Sequence, residues 1–534
     1  MPGQARFLFV GAAAAAIAAS SVGSLSTAAA DTPDSQGSGA PPLTSDRCSA
    51  LKGVAVESGV VIASENYRAG DTIVGGATAG AKVEAAICRT WIQLRPEAGS
   101  EINVEVWLPE RWNNKMMGLG GGGFDGSLSP GGAAALNKAA SQGYAAIAND
   151  AGHTPAPSVG SWAHGAPQRI VDFGHRAGHL AAVTARQVIA AFYGSGVQRA
   201  YFTGCSNGGR DGISLVSRYP SDYDAVVAGA PAIRYTEVVT QLIWYSRAAK
   251  SLGSPANAAA KLDLVHKAVM SKCDKLDGVA DGILENPRAC PFDLKSLACG
   301  DGNAASCLSP NEVAAFETIY GGMRWNDGRK IIDGPAFGSE GVPGNWGSWI
   351  TGPVPALAGQ EFYRWMVYDD PQWNVDTFDM DRDYGAALTR SVPVINAGNP
   401  DISAFTRRGG KLIIYQGWDD PVITPESTIG YVEEVRKRVA PRAAAQVQLF
   451  MVPGMAHCGG GPGATAFDMQ SALEQWDERG ITPQRVIATK PDVPAGEPPM
   501  SRPLCAWPMI ARYDGKGSPR SAESFVCAKP NERR

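Results

Sequence analysis

Ala200-Tyr201-Phe202-Thr203-Gly204-Cys205-Ser206-Asn207-Gly208 is the stretch on which the fold turns. Ala200–Thr203 reads as a short strand, and a helical pattern follows at once and runs to Arg218. Between them Gly204-Cys205-Ser206-Asn207-Gly208 fits G-x-S-x-G, a sharp strand-to-helix turn that lifts a serine above the carboxyl edge of a sheet. Glycines are needed because the turn strains the serine backbone and brings neighbouring chains close. The pentapeptide alone is weak in a chain with 63 Gly among 534 residues. Its strand–turn–helix setting gives it meaning.

Ile102, Val104, Val106 and Leu108 alternate with Asn103, Glu105 and Trp107, which predicts a strand with one buried face. Met116–Leu119 reads as the next strand and runs into Gly120–Gly123, and Gly143–Ala148 is a third apolar run. Arg169–Tyr193 has helical spacing and stops at Gly194, a C-terminal cap. Downstream, Tyr223–Val227, Lys411–Tyr415 and Val447–Val452 read as strands, with a helix opening at Thr424-Pro425. Strands alternating with helices predict an α/β fold, a mostly parallel sheet with helices on both faces. Between about Ala232 and Pro400 the pattern changes: four cysteines gather there with six of the 13 Trp. This segment reads as an insertion into the sheet domain.

A serine hydroxyl needs a base to take its proton, and the base needs an orienting acid. On such sheets the chain order is Ser, then Asp or Glu, then His, with the last two on loops after late strands. Of six His, only His457 lies downstream of every candidate acid, just after the Val447–Val452 strand. The strand before it opens into Gln416-Gly417-Trp418-Asp419-Asp420-Pro421, so Asp420 or Asp419 is the acid. The oxyanion needs backbone N–H donors. Gly120–Gly123, with Gly122 and Gly123 as candidate donors, and the N–H of Asn207 answer that need. A phosphate loop is the rival reading of the glycines, but no G-K-[ST] follows them.

The net charge of −4, with 48 Lys+Arg against 52 Asp+Glu, argues against nucleic acid or an anionic membrane as the main partner. Residues 1–30 read as a secretory signal peptide: Arg6, an apolar Phe7–Ser20 and Ala28-Ala29-Ala30 before Asp31. The apolar run is too short to span a membrane. Asp31–Ser45 reads as a disordered lead-in. Ten cysteines in an exported chain favour disulfides, although sequence alone does not fix their pairing. Proximity suggests Cys273–Cys290, Cys299–Cys307 and Cys505–Cys527. If Ser206 and His457 hydrogen-bond, Cys205 and Cys458 must be close enough to pair, leaving Cys48–Cys88 by elimination.

Gly-Cys-Ser at 204–206 with His457-Cys458 resembles the Cys-Ser…Asp…His-Cys signature of the tannase and feruloyl esterase family. Gly417-Trp418-Asp419-Asp420-Pro421 resembles that family's Gly-Trp-x-Asp-Pro loop, which selects Asp420. The likeness extends over essentially the whole mature chain. It implies a secreted α/β-hydrolase fold with a large lid and a disulfide joining the Ser and His loops. On that reading 31–231 and 401–534 form the hydrolase domain and 232–400 the lid. It also implies hydrolysis of small esters of aromatic acids, with feruloyl esterase-like activity first and tannase or mono(hydroxyethyl) terephthalate hydrolase activity behind it. By itself Cys273–Ile283 reads as a solvated acidic turn. It resembles the family's calcium segment, Asp-x-x-Asp-Gly-Val-x-Asp-Gly-Ile, which implies a structural Ca²⁺ held by Asp274, Asp277 and Asp281 side chains and the Val279 and Ile283 carbonyls.

The Trp residues of 232–400, with Arg324, Arg364 and Tyr363, are candidates for a pocket around a flat acyl group. His153, His164, His175, His179 and His266 read as structural or solvated. A secreted binding protein on a degenerate hydrolase fold is the other-class reading, against which the intact Ser206, Asp420 and His457 stand. A metal-dependent hydrolase is a third.

Overall fold

Ten strands build one sheet in the computed structural model, which describes residues 45–126, 130–154, 158–300, 306–493 and 496–530. The signal segment 1–30 and all but the last residue of 31–45 lie outside the described residues. The strands are β1 (Ala55–Val56), β2 (Gly59–Tyr67), β3 (Ile87–Leu94), β4 (Ile102–Pro109), β5 (Lys115–Leu119), β6 (Ala145–Asn149), β7 (Arg199–Cys205), β8 (Ala225–Gly229), β9 (Lys411–Gly417) and β10 (Val447–Val452). They lie in the order β1-β2-β3-β4-β6-β5-β7-β8-β9-β10. Pairing is antiparallel from β1 to β6 and parallel from β6 across to β10. β5 lies between β6 and β7, so the connections leave it in opposite directions. That reversal opens a crevice beyond the carboxyl ends of β5 and β7, where ligands settle on such sheets.

Parallel strands with helices on both faces are apolar throughout, and β8 and β10 are buried at every residue. Helices α2 (Ala177–Tyr193), α3 (Asn207–Arg218) and α4 (Pro425–Arg438) cover one face through residues such as Leu180, Ile213 and Val432. Helices α1 (Pro130–Ser141) and α5 (Met469–Arg479) cover the other through Leu136, Leu473 and Trp476. Each fully buried side chain of this size contributes roughly 1.5–3 kcal/mol. Thr424 precedes α4 without a side-chain capping bond, Pro425 opens its first turn, and Gly194, at φ 71°, ends α2.

Two expectations need correction. β4 does not bury one face only: Glu105 and Trp107 are both 0% exposed. The alternation misled because the polar partners are also inside. Glu105 accepts bonds from the Arg89 guanidinium, Thr78 Oγ1 and Trp107 Nε1, while Asn103 bonds Asp150. Nor is Arg169–Tyr193 one regular helix, because a wide turn at Asp172–Arg176 precedes α2. Such a turn loosens the helical ladder, and the Phe173 and Gly174 carbonyls accept from buried Arg210 on α3 at 2.8 and 3.1 Å.

The chain leaves the sheet at Gly229 and returns at Lys411 on the adjacent strand. The intervening residues supply helices and a small hairpin, Met323–Arg324 with Lys330–Ile332. Val265, Val269, Phe316 and Trp346 form a core of their own within it. A second apolar layer, including Tyr235, Phe362, Tyr363 and Trp373, joins it to Phe124, Ala230 and Val422 at the carboxyl edge of the sheet.

Candidate active site

β7 ends at Cys205 and α3 begins at Asn207, leaving Ser206 to make the whole turn at φ 61°, ψ −122°. A left-handed conformation at a non-glycine residue costs on the order of 1–3 kcal/mol. The Ser206 N–H donates to Gly229 O at 2.9 Å, and its carbonyl accepts from Arg210 N and Ala232 N at 3.0 Å each. Close approach explains the flanking glycines. A Cβ on Gly204 would stand 2.5 Å from Gly208 O, and one on Gly208 would stand 2.7 Å from Gly121 O.

Ser206 Oγ lies 2.9 Å from His457 Nε2, and His457 Nδ1 lies 2.8 Å from Asp420 Oδ2. Asp420 is 0% exposed. Its Oδ1 accepts from the Val422 and Ile423 N–H groups at 2.9 and 3.0 Å, and its Oδ2 also accepts from Gln416 Nε2 at 3.2 Å. Asp419 points elsewhere. It is buried and its carboxyl is pushed up to about 7, chiefly by burial and then by the charge of Glu340, against which His266 acts. The acid and histidine loops are tied by Asp419 N–H to Met455 O at 3.0 Å and by Gly417, where a Cβ would meet Met455 O at 2.2 Å.

Cys205 and Cys458 are disulfide-bonded, joining the residue before Ser206 to the residue after His457. Cys458 takes a positive φ of 64°. The other pairs are Cys48–Cys88, Cys273–Cys290, Cys299–Cys307 and Cys505–Cys527.

Gly120–Gly123 lies against the elbow. The Gly120 N–H donates to Thr203 O and the Gly121 carbonyl accepts from Gly208 N, both at 3.0 Å. Gly120 is therefore spent on the sheet, while Gly122 has open space where a Cβ would project. Asn207 opens α3, where helical N–H groups lack intrahelical partners. Behind this loop Asp125 is pushed far up, by burial first and then by the charge of Asp211, with Arg210 opposing. Its carboxyl stands where a Cβ on Gly121 would be, 2.6 Å away.

Of the residues considered for an acyl pocket, Tyr363 belongs to the core. It is 0% exposed, stacks on Trp373 and shares a hydrogen bond with Thr240 Oγ1. Arg364 donates to Trp373 O, and Arg324 to Gly328 O. Trp349 is the tryptophan of that segment found beside the site, its ring edge-on to His457 at 5.7 Å. His153 is buried, stacks on Trp162 and bonds Phe124 O, and burial pushes it down to about 4. His164 and His179 pair with Asp369 and Asp222, His175 bonds Tyr219, and His266 faces Glu340. Gln416 and Asp125 were missed in the sequence, which also did not single out Trp349 from the other Trp residues of 232–400. Gln416 lies just before the acid loop, but no spacing rule marks it.

In the acidic segment, Asp274 Oδ1 accepts from Gly282 N at 2.9 Å and Asp277 Oδ1 from Val279 N at 3.0 Å, while the Arg502 guanidinium holds Asp281. Burial pushes Asp277 up to about 6, with Asp281 and Asp274 adding to it. Three carboxylates and two carbonyls are the donor chemistry of a hard cation. Among the described residues, however, no group of three or more His, Cys, Asp or Glu is drawn together as metal ligands.

Residues 88–528 match the family model "Tannase and feruloyl esterase". An uncharacterized esterase of Xanthomonas campestris pv. campestris is 34% identical over 490 residues, covering 83% of this chain and 84% of that one. The mono(2-hydroxyethyl) terephthalate hydrolase of Piscinibacter sakaiensis is 32% identical over 501 residues, covering 80% and 82%. The crystal structure of feruloyl esterase B from Aspergillus oryzae superposes with a TM-score of 0.80 at 26% identity, covering 91% of this chain and 100% of that one. The chain belongs to the tannase and feruloyl esterase family and is a carboxylic ester hydrolase with that family's α/β fold.

Proposed function

We propose that this esterase cleaves esters of aromatic acids through an acyl-enzyme on Ser206. Ser206 Oγ attacks the ester carbonyl while His457 Nε2 takes its proton. His457 then protonates the departing alcohol, and Asp420 holds the ring with Nδ1–H towards it. Water, deprotonated by His457, attacks the acyl-enzyme, and the acid and free Ser206 are released. The N–H groups of Asn207 and of Gly122 or Gly123 stabilise the oxyanion, each worth about 10²–10³ in kcat by the usual effect of removing such a donor. The observation that carries this reading is the Ser206–His457–Asp420 hydrogen-bond chain. The Cys205–Cys458 bridge across its two ends supports it.

An aromatic acyl group is supported by Trp349 beside His457 and by two relatives named for feruloyl and terephthalate esters. Feruloyl esters come first; galloyl and terephthalate half-esters are the alternatives. The 232–400 segment acts as the lid of the site. Export is supported by the five disulfides and the apolar leader. Ca²⁺, held by Asp274, Asp277 and Asp281 with the Val279 and Ile283 carbonyls, would pin the irregular loop after Cys273 and take no part in the chemistry.

The test is product release from methyl ferulate, methyl gallate, mono(hydroxyethyl) terephthalate and p-nitrophenyl acetate, each with a Ser206→Ala control. Release from an aromatic-acid ester that the variant lacks is the expected result. Release from p-nitrophenyl acetate alone removes the aromatic specificity, and equal release by wild type and variant removes Ser206 as nucleophile.

A further inference from the structure

A cleft of about 740 Å³ opens beside the acid loop, lined by neither Ser206, Asp420 nor His457. Trp418, Pro425 and Glu426 form part of its wall, and the remainder comes from the 232–400 segment. Its volume falls in the range of about 300–1,000 Å³ typical of ligand sites, which favour seams of this kind. The walls are braced. Phe337 packs on Tyr320 at 4.5 Å and edge-on to Phe292 at 5.6 Å, and Arg288 Nε bonds Glu426 at 2.6 Å across the seam.

The wall chemistry narrows the ligand. Arg288 is the cation of the lining, and its guanidinium is bidentate on Glu426, which leaves little to hold an anion. Glu317 and Asp333 face Lys295 and Lys330 at 3.7 and 2.6 Å, and Asp293 Oδ1 accepts from the Lys295 N–H at 3.0 Å as the cap of the turn that follows, so a cationic ligand meets carboxylates that are already engaged. A wholly apolar ligand would strip water from those carboxylates without replacing its hydrogen bonds. What remains is a neutral molecule with an apolar face for half-buried Phe292 and Phe337 and hydroxyl groups for the carboxylates. Trp418 lines the cleft at 1% exposure and packs edge-on to Trp507 behind it, so its indole reports on what occupies the cleft.

We propose that this cleft is an accessory site for a neutral polyhydroxylated ligand, a pyranoside or short oligosaccharide. Its C–H face packs on Phe292 and Phe337, and its hydroxyls donate to Asp333 and Glu317. The site goes beyond the ester-cleaving reading and does not rest on it.

The test uses the mature protein with xylotriose, cellotriose and maltotriose as probes and ¹⁵N-indole spectra as readout, the Trp418 signal being identified by its loss in Trp418→Phe. At least one trisaccharide is expected to shift that signal saturably, with Kd in the range of about 0.1–10 mM. Phe337→Ala should weaken binding about tenfold while leaving p-nitrophenyl acetate turnover unchanged. Glu317→Gln, at an exposed position, serves the same end should Phe337→Ala fold poorly. No saturable shift with any probe overturns the proposal. So does binding unaffected in folded variants, or binding lost when Ser206 is blocked by a phosphonylating reagent, which would place the sugar in the catalytic site. Preferential binding of trilysine would overturn the neutral-ligand assignment.

Discussion

Asp419 and Asp420 are chain neighbours, both buried, with opposite surroundings. Asp420 accepts from two backbone N–H groups, from Gln416 and from His457. Asp419 is driven up to about 7 by burial and by Glu340. Asp420→Asn should therefore lower kcat by about 10⁴, the scale for losing the orienting acid of such a triad, whereas Asp419→Asn leaves kcat within about threefold. Ester hydrolysis at pH 8 by the two variants checks the contrast; equal losses would refute it. Stability should move the other way. With Asp419 titrating at 3.8 unfolded and about 7 folded, folding favours its protonated form, so ionisation drains stability as pH rises from about 4 to about 7. Asp419→Asn removes that drain, gaining on the order of 2 kcal/mol at pH 8 and nothing from this source at pH 4. Denaturant unfolding at the two pH values reads it.

At the scale of elements, the Gly120–Gly123 loop, proposed above to hold the oxyanion, and the α3 elbow meet glycine against glycine. Gly208→Ala puts a methyl group 2.7 Å from Gly121 O and 2.9 Å from Gly120 Cα, so the loop must retreat. kcat should fall about 10²–10³ with little change in far-UV CD; normal kcat in the folded variant would show that the loop donates nothing. The bridge between the Ser and His loops closes a separation of 253 residues. Its removal in Cys205→Ser/Cys458→Ser should cost roughly 5 kcal/mol on the chain-entropy account, together with kcat. Full turnover in the folded double variant would reduce the bridge to a staple. The β3–β4 pair supplies the contrast. Glu105→Gln leaves the 5% exposed Arg89 without its buried counter-charge and should cost about 3–5 kcal/mol, with kcat per folded molecule unchanged.

At the scale of the whole molecule, the chain between Gly229 and Lys411 closes over the carboxyl edge of the sheet and brings Trp349 to His457. If Ca²⁺ pins this segment, adding EDTA should lower Tm by several degrees and excess Ca²⁺ should restore it, while turnover below the transition persists. Loss of turnover without loss of Tm would mark a catalytic metal instead. Much of the site was legible in the chain because its signals are local: strand–Gly-x-Ser-x-Gly–helix needs only neighbouring residues, and chain order limits the base to one histidine. Asp419 and Asp420 were not separable by spacing, since both sit in the same turn; the likeness of Gly417–Pro421 to the family loop selected Asp420, and packing supplies the physical reason by bringing one carboxylate to imidazole and the other towards Glu340. Tyr363 looked like a pocket wall but is core, and Glu105 looked solvent-facing but is buried, because burial depends on what the other layers bring. Thus sequence alone determined the alternation of elements, the elbow and the order of its partners, all written in short-range spacing. The tertiary structure decided where the neighbouring Asp419 turns, which tryptophan reaches the histidine and where buried charges find partners, because those contacts join residues far apart in the chain.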